Sequence, residues 1–265
     1  MSLQNFTDGM PILILFAAIS AMMIVVFEVT YSRTAKTNKK ISDTQVSQVR
    51  SIMGASLGLL AFMLAFTFSK AQSHFEARVD AYQLEVSAID TAYRGSDVLD
   101  VEHEAKAKDL LRRFVQIRLD IISVIETESV QTALELVQEG ERIHDELWDV
   151  AESSMLSADK DVNDSIFVGA VLEMIRANDE RLQAALYNRI SPIIWIALIG
   201  MAVLAMIIMG YQASLTGARS AVATWTLALA FAAVMTLVTD LDRPQMSLFD
   251  LDQSMMSKLQ QKVSE

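Results

Sequence analysis

Cysteine is absent from the 265 residues, which excludes a disulfide framework, a thiol nucleophile and any cysteine-ligated metal. Histidine is almost as scarce. His74, His103 and His144 are far apart, none belongs to a His-Glu-x-x-His pair, and Glu102-His103-Glu104 sends adjacent side chains to diverging helix faces. There is no glycine-rich phosphate loop; the lone Gly-x-x-x-Gly, Gly54 to Gly58, lies in an apolar run and reads as helix contact. Strand alternation and Asn-Gly hairpin signals are missing throughout. These absences leave no catalytic residue, cofactor site or metal site to assign, and point away from an enzyme.

What the chain has instead is apolar length. Hydrophobic residues make up 52%, too many for a soluble domain of this size unless the excess is gathered into membrane spans. It is gathered into four windows nearly free of charge, at about 11–31, 51–69, 192–211 and 218–239. Each is roughly 20 residues, the length of helix that matches the hydrocarbon core of a bilayer. The first has no Lys or Arg before it and no clear cleavage site after it, so it reads as a retained span rather than a signal peptide. The expected class is an all-α membrane protein with a helical-bundle domain inserted between spans two and three. Its segments would be a first membrane hairpin (1–69), an acidic bundle (70–190), a second hairpin (191–240) and a C-terminal amphipathic helix (241–265).

Charge distribution bears on partners and sidedness. Residues 70–189 carry 25 acids and 13 bases, a balance of 13 − 25 = −12, which repels nucleic acid and draws cations. The loop 32–50 holds Arg33, Lys36, Lys39, Lys40 and Arg50 against Asp43; by the positive-inside rule it faces the cytoplasm, with both termini and the large domain outside.

Within the acidic segment four helices are expected. Gly95 ends the first, Asp100 caps the second, a third starts near Ser129, and the polar run Ser157 to Ser165 precedes the fourth. The stripes Leu110, Phe114, Ile117, Ile121, Val124 and Leu136, Ile143, Leu147, Val150 each require a partner, which a bundle supplies. A rhythm of four and three runs from Gly54, Gly58, Ala61 and Ala65 through Phe68, Gln72, Phe75, Val79, Tyr82, Val86, Ile89 and Tyr93. A seam in one register across the membrane boundary predicts a single helix from about Ser51 to Arg94, with its small residues packing in lipid. Span three is likewise expected to continue a domain helix, with a bend or restart at Ser191-Pro192.

Polar residues at the span ends are the remaining candidates. Glu28 lies near the end of span one, where an intramembrane acid either serves function or pairs with Arg33 at the basic loop. Spans two and four end on the same side, so Lys70, Glu76 and Arg78 are expected near Asp240, Asp242 and Arg243, forming ion pairs that tie the span ends together. Beyond them Leu248, Leu251, Met255 and Leu259 predict an amphipathic helix from Ser247 to Lys262, lying on the bundle or the membrane surface.

Three stretches carry a likeness: Ala65 to Arg78 (Ala-Phe-Thr-Phe-Ser-Lys-Ala-Gln-Ser-His-Phe-Glu-Ala-Arg), Glu85 to Ile89, and Leu241-Asp242-Arg243-Pro244. Together with the layout they resemble a bacterial family of unassigned function described as bestrophin-like. The resemblance implies a pentameric ion channel whose second span lines the pore and is followed by an aromatic-Glu-x-Arg, here Phe75, Glu76 and Arg78. It implies pore-facing residues near Leu57, Ala61 and Ala65 or, one helix step around, Gly58, Phe62 and Phe66. It also implies a cytoplasmic large domain, opposite to the charge rule. The chain departs from the pattern in having His74-Phe75 where a tandem aromatic is expected, and in lacking a counterpart of the acidic calcium clasp.

The expected function is an oligomeric, bestrophin-like channel in the inner membrane, passing monovalent cations, with Phe62 and Phe66 as a hydrophobic constriction. The rival is a non-conducting sensor or scaffold whose helical domain binds a ligand or partner protein.

Overall fold

The computed structural model describes residues 11–36, 42–127, 130–156, 164–186, 188–217, 220–243 and 254–264. Every regular element among them is helical: α1 (Ile12–Ala35), α2 (Asp43–Gly95), α3 (Val101–Thr127), α4 (Val130–Leu156), α5 (Asp164–Leu186), α6 (Pro192–Thr216), α7 (Ala221–Asp242) and α8 (Ser254–Ser264), with a 3₁₀ turn at Ser96–Val98. Four of them, α1, α2, α6 and α7, are long and apolar enough to cross a membrane. Two compact units form, one from Met1–Glu76 and Asn188–Asp250, the other from Ala77–Tyr187 and Leu251–Glu265.

Helix α2 carries 53 residues without interruption, about 80 Å at 1.5 Å per residue, so no break occurs at Ser69. Span three behaves differently: of the bend or restart expected at Ser191-Pro192, the chain makes a restart. Helix α5 ends at Leu186 and α6 starts afresh at Pro192. Ser191 is extended (φ −56°, ψ 136°), the conformation that a following proline imposes, and Pro192 then occupies the first helical turn, where its missing N–H costs nothing.

In the membrane unit, Met23 and Phe27 of α1, Leu60 and Leu64 of α2, Leu198, Ala202, Ala205 and Met206 of α6, and Ala228 and Met235 of α7 form one buried core. Lipid is as apolar as these side chains, so close van der Waals fit holds this unit together. The tightest approach is at Gly210, where an added Cβ would stand 2.7 Å from the Phe27 carbonyl oxygen and 3.1 Å from Thr30 Cβ. Thr30 and Thr34 turn their hydroxyls back on the Val26 and Thr30 carbonyls, keeping α1 free of unsatisfied groups beside that contact. Gly217 ends α6 with φ 65°, a left-handed cap, and Ser220 Oγ accepts the Ala223 N–H at the start of α7.

The second unit is held by ordinary hydrophobic burial in water. Leu110, Phe114, Ile117 and Ile121 of α3 face Ile143, Leu147 and Val150 of α4, with Tyr82, Ile89 and Ala92 of α2 and Phe167, Val171 and Met174 of α5 completing the core. Each such large side chain contributes roughly 1.5–3 kcal/mol. Gly95 closes α2, and Asp100 Oδ1 accepts the N–H groups of Glu102 and His103 to start α3. The Ser157–Ser165 turn falls largely outside the described residues.

Helix α8 packs onto this same unit. Its buried face is Met256, Leu259 and Val263; of the expected stripe Leu259 is buried and Met255 is exposed, its place taken by Met256, while Leu248 and Leu251 lie outside the described residues. The Tyr82 hydroxyl accepts the Met256 N–H at 3.1 Å, the Val263 carbonyl accepts from Tyr93 at 3.3 Å, and Gln260 donates to Gln116.

Candidate functional site

The 53 residues of α2 present two faces with different fates. In the membrane half the buried positions are Leu60, Leu64, Thr67, Ala71 and His74, again spaced by four and three. The small-residue seam is offset from them: Gly54, Gly58, Ala61 and Ala65 are all exposed, and a Cβ added at Gly54 or Gly58 would meet nothing within 4 Å. Within the chain, then, these four residues do not supply the close contacts of the span. Leu60 and Leu64 do that instead, because in an all-apolar segment any face can turn inward.

The residues named as lining candidates share that open side. Phe62 is 66% exposed and Phe66 59%; Gly58, Ala61 and Ala65 are exposed, and Leu57 is half-buried against the core. Ala61 and Ala65 also form one wall of an open apolar groove of about 410 Å³, whose other lining residues are Leu64, Phe68, Phe231, Val234 and Leu237.

At the span ends the structure joins some of the expected polar groups and separates others. Asp242 Oδ1 accepts the backbone N–H of Ile190 at 2.8 Å and stands 3.9 Å from His74 Nδ1. Asp240, Asp242 and Arg243 are all buried. Asp242 thus fastens the non-helical link before span three to the end of span four, over a small apolar cluster of Ala71, Ile190, Val238 and Leu241. Glu76 stands apart from this arrangement: it is exposed and accepts a hydrogen bond from Gln72 Nε2 at 3.0 Å. Lys70 is exposed too, and Arg78, in the other unit, is buried. Glu28 is half-buried on α1. Among the described residues no cluster of three His, Asp or Glu side chains could hold a metal.

The helical unit contains a polar centre that sequence reasoning did not single out. Glu85, fully buried, is paired through Oε1 with Arg118 Nη2 and through Oε2 with Arg181 Nη1. Arg118 also lies over the Phe114 ring at 5.7 Å, and Arg181 over Tyr82 at 5.4 Å. Burial pushes the Arg118 guanidinium down to about 10, against the opposing pull of Glu85. His144 packs its ring 4.7 Å from Phe114; burial, reinforced by Arg118, pushes its pKa below the ordinary histidine value. The signal available in advance was an acid on the buried side of the α2 seam. Glu85 stands one helical turn after Tyr82, at a position that turns toward the bundle.

A family model for the bestrophin-like domain matches residues 14–245. Comparison with curated proteins finds no match. Among solved structures, the crystal structure of a membrane protein variant superposes with a TM-score of 0.65 at 14% identity, covering 95% of this chain and 97% of that one. A mutant of a bacterial bestrophin homolog from Klebsiella pneumoniae gives 0.62 at 15% identity, covering 96% and 97%. At those identities the structures establish the shared fold, and the domain match, running over most of the sequence, establishes membership: the chain belongs to the bestrophin-like family.

Proposed function

We propose that the chain assembles around an axis lined by α2 and acts as an ion channel of the inner membrane, pentameric by likeness to bestrophins. The observation that carries this reading is the character of the open face of α2. All four spans expose large apolar side chains, among them Leu13, Ile193, Val222 and, on α2, Ile52 and Leu59, as lipid-facing helices do. The outward side of α2 adds to these Gly54, Gly58, Ala61 and Ala65 beside Phe62 and Phe66 within 13 residues. Small residues let neighbouring helices approach closely, and the phenylalanines supply a hydrophobic constriction that gates by dewetting. The acidic domain, with its balance of 13 − 25 = −12 over residues 70–189, enriches cations at the mouth.

Flux of monovalent cations into liposomes containing purified protein tests the reading. Wild type is expected to exceed empty liposomes, and Phe62→Ala with Phe66→Ala to raise flux severalfold by widening and wetting the constriction. No flux from either protein, or a monomer in mild detergent, returns the chain to the scaffold reading. Sidedness divides two arguments: the basic loop 32–50 supports an outward acidic domain, and the likeness to bestrophins supports a cytoplasmic one. Thiol labelling in intact cells of a cysteine introduced at Glu146 separates them.

A further inference from the structure

The open side of α2 continues above the two phenylalanines. Counting up the helix in steps of four and three, Phe62 and Phe66 are followed by Ser69, Ser73 and Glu76, and all five are exposed. The interleaved positions Leu60, Leu64, Thr67, Ala71 and His74 are buried against the rest of the membrane unit. One straight stripe therefore changes from aromatic to hydroxyl to carboxylate over 14 residues, about 21 Å of helix. The carboxylate is not spent on the ionic cluster at the span ends. It lies exposed on the stripe, oriented by the hydrogen bond from Gln72 one turn below. Arg78, the nearest base on this helix, stands two residues on and is buried, and exposed Lys70 sits six residues away, about 120° around the helix.

We infer that Glu76 is the specificity-determining residue of the conduction path. Repeated by the symmetry of the assembly, it places a ring of carboxylates about 15 Å beyond the Phe66 constriction. Ser69 and Ser73 line the interval with hydroxyl oxygens suited to a partly dehydrated cation. A ring of fixed negative charge beside a narrow apolar section concentrates cations where the barrier is highest and repels anions from it. The inference rests on the channel reading, and it assigns selectivity to one side chain instead of to the diffuse charge of the acidic domain.

Reversal potentials of the purified full-length protein in planar bilayers under a potassium chloride gradient test it. Wild type is expected to reverse on the cation side. Glu76→Gln should lower the cation-to-anion permeability ratio about tenfold, and Glu76→Lys should carry the potential to the anion side. Glu76→Asp, which keeps the charge, should retain the wild-type value, as should Glu146→Gln on the bundle surface. A conducting Glu76→Gln protein with the wild-type potential overturns the assignment and leaves the channel standing. So does an anion-side potential in wild type, or a loss of selectivity in Glu76→Asp. Absence of current from wild type overturns the channel itself, and the assignment with it.

Discussion

Glu85 shows how strongly one side chain can bind a bundle once it is withdrawn from water. Its two oxygens serve Arg118 from α3 and Arg181 from α5, so removing its charge strands two guanidinium groups in a low-dielectric interior. Glu85→Gln is therefore expected to destabilise the helical unit by about 3–5 kcal/mol, measured by denaturant unfolding followed by circular dichroism. Replacing all three members with apolar residues of similar volume should recover most of that loss, because no buried charge is left unpaired. His144 supplies a pH dependence of its own. Its imidazole is held neutral by burial and by Arg118, with Glu85, Asp145 and the α5 residue Asp179 opposing. The unfolded chain therefore binds the proton more readily, and stability is complete above the ordinary histidine value of about 6.5. It declines as pH falls below that value towards the depressed one in the fold. Thermal melts between about pH 7.5 and 5 should show this slope, and His144→Gln should flatten it. The seam could place Glu85 on the buried side, but not name its partners: Arg181 lies 96 residues away, and a charged side chain met alone in a sequence reads as surface.

At the scale of the element, the four-and-three rhythm of α2 was legible from end to end, and the helix is unbroken as that rhythm requires. Its phase was not legible in the membrane half. In water, polarity marks the outer face, so Tyr82, Val86 and Ile89 could be identified as core; in lipid both faces are apolar, and Leu60 competes on equal terms with Gly58. A glycine that does bring two helices of the chain together is Gly210 against α1, inside a run with no Gly-x-x-x-Gly pattern to announce it. A pair of substitutions separates the two kinds of glycine. Gly210→Ala forces a Cβ against the Phe27 carbonyl oxygen, so the helices must move apart, at a cost of about 1–3 kcal/mol. Gly58→Ala meets open space and should leave the melting of the isolated subunit within about 0.5 kcal/mol, since it improves helix propensity. Its effect belongs to assembly, read as the mass of the detergent-solubilised particle by light scattering. If Gly58→Ala destabilises as much as Gly210→Ala, the open face of α2 is covered by the chain itself.

For the whole molecule, fold class followed from composition: four apolar windows, an acidic helical insert and no strand signals lead directly to an all-helical membrane protein. The division of polar groups among the span ends did not follow, because depth along a helix can be counted from sequence but azimuth around it cannot. Asp242 and Glu76 lie at the ends of their spans, yet one is buried beneath Ile190 and the other faces outward. At span three the sequence left a bend and a restart open: Pro192 announces a first turn, and the path of residues 188–191 shows that the chain leaves the helix before it. The bundle core draws Met256, Leu259 and Val263 from an 11-residue helix at the far end of the chain. A ribosome translating this message threads every span into the bilayer before it emits the residues that seal the inserted domain. Until those residues emerge that domain waits with an apolar cleft uncovered, and a stop codon just after α7 would deprive it of part of its interior.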